Sequence, residues 1–282
     1  IVAGNQPRTL HFSAPRDGVH GMIAGGTGSG KSEMLMTLIV DMAFKHDPSI
    51  LNFVLVDYKG GGAFKPFEKL PHVVDSVTNL NSAAVSRMFV AINAEMKRRQ
   101  QLNADTGVKD IVDYRRKGYH LTQAPYPHLF IIIDEYAEMI VDKPEFKEEL
   151  DRITRVGRSL GISLILASQK PIGVSDQMRA NIKFRLCLRV EGVDTSREML
   201  RRSDAAYLPS GMPGRGYLQI GNDNMELIQV AYTGETTATA QNEKTKLYSL
   251  VVDTAHYLIA DQRQPQCPWP PMLPDGRSAT FN

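Results

Sequence analysis

The sequence predicts an α/β fold whose central sheet is mostly parallel, is covered by helices on both faces and carries an antiparallel addition. Three observations predict it. Short apolar segments alternate with helical patterns along most of the chain. A glycine-rich phosphate loop joins the first of these segments to the first helical pattern. The 282 residues are 42% hydrophobic, which is enough for a packed core.

The predicted strands are short, β-branched and almost wholly apolar, as is typical of strands buried on both faces of a parallel sheet. They are Gly21–Ala24, Phe53–Val56, Leu129–Ile133, Ser163–Ala167, Phe184–Val190 and Tyr217–Ile220. Helical patterns lie between several of them, at Ser32–Phe44, Ala83–Leu102, Glu145–Leu160 and Ser196–Arg202. The last two strands alternate in polarity and flank a Pro/Gly-rich turn, so we expect them to form the antiparallel addition. A closing helix is predicted over 236–262.

The composition changes after the closing helix. Five prolines follow residue 262, and they exclude a helix and favour an extended linker. We therefore predict a folded domain over 1–260 and a Pro/Trp-rich linker tail over 261–282. The tail holds the only tryptophan, Trp269, which we interpret either as an anchor that docks on this domain or the next one, or as part of a disordered tether.

The bulk numbers exclude several classes of protein. The net charge is only +2, from 33 basic and 31 acidic residues, so there is no global attraction to nucleic acid. Two distant cysteines indicate a reducing compartment and no disulfide scaffold. The apolar runs are too short to span a bilayer. Because the chain begins at Ile1 without Met, we expect a fragment whose membrane anchor, if any, lies outside it.

A complete G-x-x-x-x-G-K-[ST] phosphate loop follows the first strand. It reads Gly25, Gly26, Thr27, Gly28, Ser29, Gly30, Lys31 and Ser32. Glycines let the backbone wrap around phosphate, and the N-terminus of the following helix favours an anion. Lys31 supplies a mobile positive charge for the β- and γ-phosphates, and the hydroxyl of Ser32 is a ligand for Mg²⁺.

Two carboxylates, Asp134 and Glu135, follow the buried strand Leu129–Ile133. Ligands of parallel sheets bind at the carboxyl ends of the strands, so this pair is expected to face the phosphate loop. We predict that Asp134 holds Mg²⁺, through water, and that Glu135 orients and deprotonates the attacking water. Taken alone, the pattern would also suit a solvated strand end.

Polar residues follow two further strands. Asp57 and Lys59, in a segment that continues with three glycines, are predicted to face the same crevice, with a flexible turn as the alternative. Ser168 and Gln169 follow the next strand and are predicted to sense the γ-phosphate; ordinary turn chemistry before a proline is the alternative.

Arg152, Arg155 and Arg158 are spaced around one side of a predicted helix end. An arginine supplied by a neighbouring subunit would offset the charge that builds on the transferred phosphoryl group. We predict Arg158 as this arginine finger, and a solvated basic helix face is the alternative. Other basic clusters, such as Lys97-Arg98-Arg99, are accompanied by acids, which favours a solvated face over a nucleic-acid contact.

The motifs together resemble the FtsK/SpoIIIE-like ATPases, a branch of the RecA/HerA-type P-loop motors, over about residues 5–235. The resemblance is carried by the phosphate loop, Val56–Gly61, Pro71-His72, Val77–Leu80, Ile133–Glu138, Gly157–Ile162, Ala167–Pro171 and Asp194–Arg197. Double-stranded DNA translocases usually have Pro after the second-strand Asp and a Thr-Gln sensor, whereas this chain has Asp57-Tyr58-Lys59 and Ser168-Gln169. Both features look more like the type VII secretion ATPases of the EccC/EssC kind, and the intact carboxylates resemble their first ATPase module. The tail has Trp-Pro-Pro where the linker pattern of those proteins more often has Trp-Leu-Pro-Pro.

This resemblance implies an ATP-hydrolysing motor module with ATP and Mg²⁺, assembled into a ring with identical subunits or tandem modules. Its cargo would be small helical secretion substrates. It would be a cytoplasmic domain of a bacterial, membrane-anchored protein, contacting the membrane only through segments outside this chain. The alternatives are a double-stranded DNA translocase of the FtsK/SpoIIIE type and a module that binds ATP for assembly only.

Overall fold

One large mixed sheet organises the protein in a computed structural model that describes residues 2–3, 6–77, 82–222, 224–238 and 244–259. The strands of this sheet are β1 (Val2–Ala3), β2 (Gln6–Pro7), β3 (His20–Ala24), β4 (Leu51–Asp57), β5 (Val73–Val77), β6 (His128–Asp134), β7 (Ile162–Ser168), β8 (Ile182–Leu188), β9 (Arg215–Ile220) and β10 (Asn224–Gln229). A separate hairpin pairs β11 (Thr236–Ala238) with β12 (Lys244–Lys246).

Helices connect most of the strands. They are α1 (Lys31–Lys45), α2 (Ser82–Thr106), α3 (Ile111–Arg116), α4 (Tyr119–Thr122), α5 (Tyr136–Asp142), α6 (Phe146–Val156), α7 (Asp176–Asn181), α8 (Val193–Leu200) and α9 (Leu247–Ile259), with short 3₁₀ turns at Lys65–Phe67 and Asp204–Tyr207. None of the helices in the described ranges combines the length and the apolar character that a membrane span requires.

The strand order is β2-β1-β10-β9-β8-β3-β7-β6-β4-β5. The six strands from β8 to β5 are parallel, and β9, β10, β1 and β2 extend the sheet with antiparallel pairs. The predicted fold class is therefore confirmed. One assignment needs correction: β8 was expected only in the antiparallel addition, but it pairs parallel with β3 on one side and antiparallel with β9 on the other, because the chain enters it through a crossover.

The core lies on both faces of the sheet. In β6, Leu129, Ile131 and Ile133 point to the face that α2, α5 and α6 cover. Phe130 and Ile132 point to the opposite face, which α1 and α9 cover. Since successive side chains alternate between the two faces, a strand buried on both sides is apolar at successive positions, as this one is from Leu129 to Ile133.

The parallel register brings the ends of four strands together, three of them polar, at one edge. Asp57 lies opposite Asp134, Asp134 opposite Ala167, and Ala24 opposite Ser168. The phosphate loop leaves β3 at this same edge. Because each residue named is at the carboxyl end of its strand, the edge is the place where a ligand of a parallel sheet is expected.

Several predicted elements differ from those observed. The helix expected over Glu145–Leu160 ends at Val156, because the chain turns at 157–161, where Gly161 has a φ of +67° directly before β7. The expected helix over 236–262 begins with the strands β11 and β12, and only α9 is helical. Strands β5 and β10 were not predicted. The predicted boundary at residue 260 and the linker tail lie outside the described residues.

Candidate nucleotide-binding site

The phosphate loop has the backbone that its glycines predict. The N–H of Gly25 donates to the carbonyl of Ser168 (3.3 Å) and that of Gly26 to the carbonyl of Arg189 (2.8 Å), which anchors the loop between β7 and β8. Gly28 and Gly30 have φ values of +73° and +93°, in the region that side chains rarely adopt. A Cβ at Gly30 would also lie 2.9 Å from the backbone nitrogen of Gly214. The sequence at these positions therefore preserves a loop around an open concavity.

The loop and the helix after it fit a bound phosphate chain. Gly30 caps α1, a helix of 15 residues, so the partial positive charge of its N-terminus faces the concavity. Thr27 and Gly28 are exposed. The hydroxyl of Ser29 is buried and has no hydrogen-bond partner within the described part of the chain. Ser32, at the start of α1, and Asp134 together offer the hard oxygen ligands that Mg²⁺ prefers.

Lys31 lies between the two predicted carboxylates. Its Nζ contacts Oδ1 of Asp134 and is 2.8 Å from Oε1 of Glu135. All three side chains are at most 7% exposed. A buried ammonium between two buried carboxylates compensates part of their charge, so these groups form one coupled cluster. The sequence separation of more than 100 residues is closed by the sheet.

Glu135 is held in a strained position at the turn from β6 to α5. Its backbone is left-handed, with φ +59° and ψ +40°, which is unusual for a residue with a side chain. Its N–H donates to Oδ1 of Asp134 (3.0 Å), and its Oε2 accepts the N–H of Gln169 (3.4 Å). The strained turn directs both carboxylates toward the phosphate loop.

The electrostatics of Asp134 follow from this burial. Removal from water raises the pKa of the Asp134 carboxyl above its ordinary value, and the charge of Lys31 opposes that shift. The nearby Glu135 and Asp57 raise the pKa further. The cluster is therefore short of positive charge, which favours a cation at this point.

Asp57 and Lys59 both line the crevice, as predicted. Oδ2 of Asp57 accepts the N–H of Ala63 (3.2 Å), so this carboxylate orders the glycine-containing turn after β4. Lys59 pairs with Glu138 at 2.6 Å, and both side chains are about half exposed. Asp57 is therefore part of the inner wall, and Lys59 lies at the rim.

The two predicted sensor residues have different surroundings. The hydroxyl of Ser168 donates to the carbonyl of Lys170 (2.9 Å) and accepts its N–H (3.2 Å), so Ser168 carries out the turn chemistry that was the alternative. Gln169 lines the crevice beside Glu135. The geometry thus favours Gln169 as the group facing the ligand.

The crevice is a cavity of about 720 Å³, within the range of pockets that hold nucleotide-sized ligands. The predicted site residues that line this cavity are Gly26, Thr27, Gly28, Gly30, Lys31, Ser32, Asp57, Asp134, Glu135 and Gln169. Gly25 and Ser29 are buried members of the loop and do not line the cavity. Sequence reasoning missed a second group of lining residues, namely Glu33, Met34, Pro213, Gly214, Gln229, Val230, Ala231 and Tyr232.

The three arginines are not gathered at one helix end. Arg152 and Arg155 are on α6, whereas Arg158 lies beyond its end. Arg152 donates to Asn93 (3.0 Å) and is 3.5 Å from Glu149. Arg158 is exposed in the turn before β7, at the end of that strand opposite to the crevice. Seven residues of strand span about 20 Å, so Arg158 cannot reach the cavity of its own chain.

Comparisons with known proteins place this geometry in a family. The profile of the FtsK/SpoIIIE family matches residues 9–172. The chain is 42% identical over 261 residues to the type VII secretion system protein EssC of Staphylococcus aureus (strain NCTC 8325), covering 92% of this chain and 17% of EssC. The chain thus spans about a sixth of that relative.

Solved structures agree. The cytoplasmic domain of the Thermomonospora curvata type VII secretion ATPase EccC superposes with a TM-score of 0.79 and 36% sequence identity, over 91% of this chain and 30% of EccC. ATPases 2 and 3 of Thermomonospora curvata EccC, in complex with a signal sequence peptide, superpose with a TM-score of 0.74 and 25% identity, over 89% of this chain and 44% of that chain.

Proposed function

Because the chain belongs to the FtsK/SpoIIIE family and is an ATPase domain of it, we propose that it binds and hydrolyses ATP with Mg²⁺ as one motor module of a type VII-like protein secretion machine. The observation that carries the proposal is the convergence of Lys31, Asp134 and Glu135 at the phosphate loop. The similarity to EssC and EccC supports the secretion machine.

The roles of the residues follow from their positions. The backbone N–H groups of the loop and the N-terminus of α1 bind the phosphates, and Lys31 leaves the two carboxylates to contact the β- and γ-phosphate oxygens. Ser32 and Asp134 would hold Mg²⁺, which would offset the charge that develops on the phosphoryl oxygens. Glu135 then orients the attacking water and accepts its proton, and Gln169 stands beside it.

Lys31 has a double role in this scheme. In the described structure the charge of Lys31 compensates the carboxylates of Asp134 and Glu135, so the three side chains satisfy one another. When Lys31 contacts the triphosphate instead, Glu135 becomes an unpaired carboxylate beside the γ-phosphate. Binding of the substrate thus activates the base, and no separate event is needed to expose it.

The site of one chain lacks an arginine at the γ-phosphate end of the cavity among the described residues. Arg158 is exposed at the opposite edge of the sheet, where a neighbouring module in a ring can receive it. This supports assembly of identical subunits or tandem modules, with Arg158 acting in trans.

The cargo is proposed from chemistry that a relative shares. The EccC structure in complex with a signal sequence peptide supports export substrates as cargo, for which we propose small helical proteins. The structure of the cytoplasmic domain of EccC supports a place on the cytoplasmic side of a bacterial membrane. The basic run 97–99 gives little support to the DNA translocase alternative. Arg98 and Arg99 both pair with Glu95 at 2.7 Å, and Arg99 is 1% exposed, so it is not available to a phosphate backbone.

The experiment that tests the proposal measures phosphate release by the wild type and by Lys31→Ala, alone, with a signal sequence peptide and with duplex DNA. Turnover that needs Mg²⁺ and Lys31 and rises with peptide supports the secretion motor. A rise with DNA that disappears as salt increases would favour the translocase instead. A wild type that neither binds nor hydrolyses ATP at any protein concentration contradicts the proposal.

A further inference from the structure

The cavity has a second end that the phosphate-loop motifs leave unassigned. It is formed by the first turn of α1 and by residues 229–232, at the end of β10 and just beyond it. Its polar and aromatic members are Glu33, Gln229 and Tyr232. None of them belongs to a nucleotide motif in the sequence, so their chemistry must be deduced from where the fold places them.

Two sets of hydrogen bonds fix this wall against the phosphate loop. At its near end, the N–H of Gly214 donates to the carbonyl of Ser29 (2.7 Å), and the N–H of Val230 donates to the carbonyl of Gly214 (2.9 Å). At its far end, the hydroxyl of Thr37 bonds the carbonyl of Ala231 (3.2 Å). Thr37 is six positions after Lys31 on α1, about 9 Å along the axis. A nucleoside attached to phosphates in the loop therefore lies along this wall.

Tyr232 offers an aromatic surface at this end. Its side chain is 54% exposed and lines the cavity beside Val230 and Ala231. An aromatic ring left open to solvent in a cavity wall is suited to stacking on a planar base. The adjacent aliphatic side chains exclude water from the edge of such a stack.

Gln229 and Glu33 add hydrogen-bond acceptors. The Nε2 of Gln229 donates one of its two N–H groups to the carbonyl of Pro213 (2.9 Å), which fixes the orientation of the amide and presents its Oε1 as an acceptor. An acceptor that faces position 6 of a purine favours the exocyclic amine of adenine over the carbonyl oxygen of guanine. Within the described residues, Oε2 of Glu33 is buried without a partner and is suited to accept from a ribose hydroxyl.

We propose that Glu33, Gln229 and Tyr232 form the nucleoside subsite, in which Tyr232 stacks on the base, Gln229 selects adenine over guanine and Glu33 binds the ribose. The inference rests on the proposed function, since it names what the same cavity recognises beyond the phosphates.

The test measures dissociation constants by calorimetry with Mg²⁺ for three ligands: ATP, GTP and inorganic tripolyphosphate, which has no nucleoside. The variants are Tyr232→Ala, Tyr232→Phe and Gln229→Met, with Tyr257→Ala as the matched control because Tyr257 is an exposed tyrosine outside the cavity. Lys31→Ala reports on the phosphate end. Thermal melting of each variant checks that it is folded.

We expect Tyr232→Ala to weaken ATP about tenfold, as loss of a base–aromatic stack does, and to leave tripolyphosphate within about twofold. Tyr232→Phe and Tyr257→Ala keep the wild-type constants. The wild type binds ATP more tightly than GTP, and Gln229→Met reduces that preference about tenfold.

Two results separate the inference from the proposed function. If Lys31→Ala abolishes ATP binding but Tyr232→Ala leaves the ATP constant unchanged, or weakens ATP and tripolyphosphate equally, the nucleoside subsite is wrong and the proposed function stands. If the wild type binds tripolyphosphate but shows no preference between ATP and GTP, the role of Gln229 is wrong. If it binds none of the three ligands, both proposals fail.

Discussion

Replacement of Glu135 by glutamine separates the chemistry of this site from its binding. Glutamine has nearly the same shape, and it meets the same left-handed backbone at φ +59°, so the turn from β6 to α5 is kept. The change removes one negative charge, the proton acceptor, and one of the two carboxylates that hold Lys31. We expect hydrolysis to fall by about 10²–10⁴-fold, the usual contribution of a general base, which corresponds to about 3–5 kcal/mol of transition-state stabilisation.

Binding is expected to change in the opposite direction. Lys31 must leave its carboxylates before it can contact phosphate, and a hydrogen bond between charged groups contributes about 1.5–3 kcal/mol. With only Asp134 left as a charged partner, Lys31 is released more easily. The dissociation constant of ATP should therefore decrease by about tenfold.

The assay combines single-turnover phosphate release with calorimetric titration of ATP. Glu148→Gln, at an exposed position of α6, is the matched control and should behave as the wild type. A Glu135→Gln variant that hydrolyses ATP within tenfold of the wild type would show that the base is elsewhere. A variant that binds ATP more weakly would refute the competition between carboxylates and phosphate for Lys31.

Three further predictions follow from the backbone and the buried charges. Gly30→Ala should abolish ATP binding, measured by calorimetry, and lower the free energy of unfolding by about 1–3 kcal/mol. The reason is that the φ of Gly30 is +93° and the new Cβ would contact the backbone of Gly214. Gly211→Ala is the control, because a Cβ there has open space, and it should have neither effect. Arg201→Gly should raise the free energy of unfolding by about 0.5–1 kcal/mol in urea titrations, since Arg201 ends α8 with φ +60°, and an unchanged or lower value would contradict this. Burial lowers the pKa of His20 to about 4. Below about pH 6.5 the unfolded chain therefore binds a proton at His20 that the folded chain does not bind. The free energy of unfolding should decrease as the pH falls from about 6.5 to 4, by about 3 kcal/mol for this residue. In His20→Gln, urea titrations at several pH values should show a flatter pH dependence across that window, and an unchanged slope would exclude His20 as its cause.

The phosphate end of the site could be predicted from the sequence because its signals are local. The loop is one continuous motif, and Asp134 and Glu135 directly follow an apolar strand. The parallel register then brings the two together without any further information. The same local logic located Asp57 and Gln169 at the ends of their strands.

The nucleoside end could not be predicted, because its residues become neighbours only through the antiparallel strands. Pro213 and Gly214 are typical of an ordinary turn between strands. Gln229 ends β10 and Tyr232 follows it, and the alternation of apolar and polar residues in this strand is weak. Only the folded sheet places them against α1. Strand β5 was not predicted because Asp75 and Ser76 interrupt its apolar run. It is an edge strand of the sheet.

The role of Arg158 is a different case. In the sequence Arg158 belongs to a cluster of arginines, but in the fold it lies at the end of β7 that is far from the cavity of its own chain. Its role in trans therefore stays a prediction. Mixing Arg158→Ala with Glu135→Gln would restore part of the ATPase rate if each variant supplies the group that the other lacks.

The most direct test of the account is a crystal structure of the chain with Mg²⁺ and a non-hydrolysable ATP analogue. We expect the triphosphate inside the loop of residues 25–32, with Nζ of Lys31 on the β- and γ-phosphate oxygens and the Glu135 carboxylate facing the γ-phosphorus. An empty loop at saturating analogue, with Lys31 still bound to Asp134 and Glu135, would contradict it.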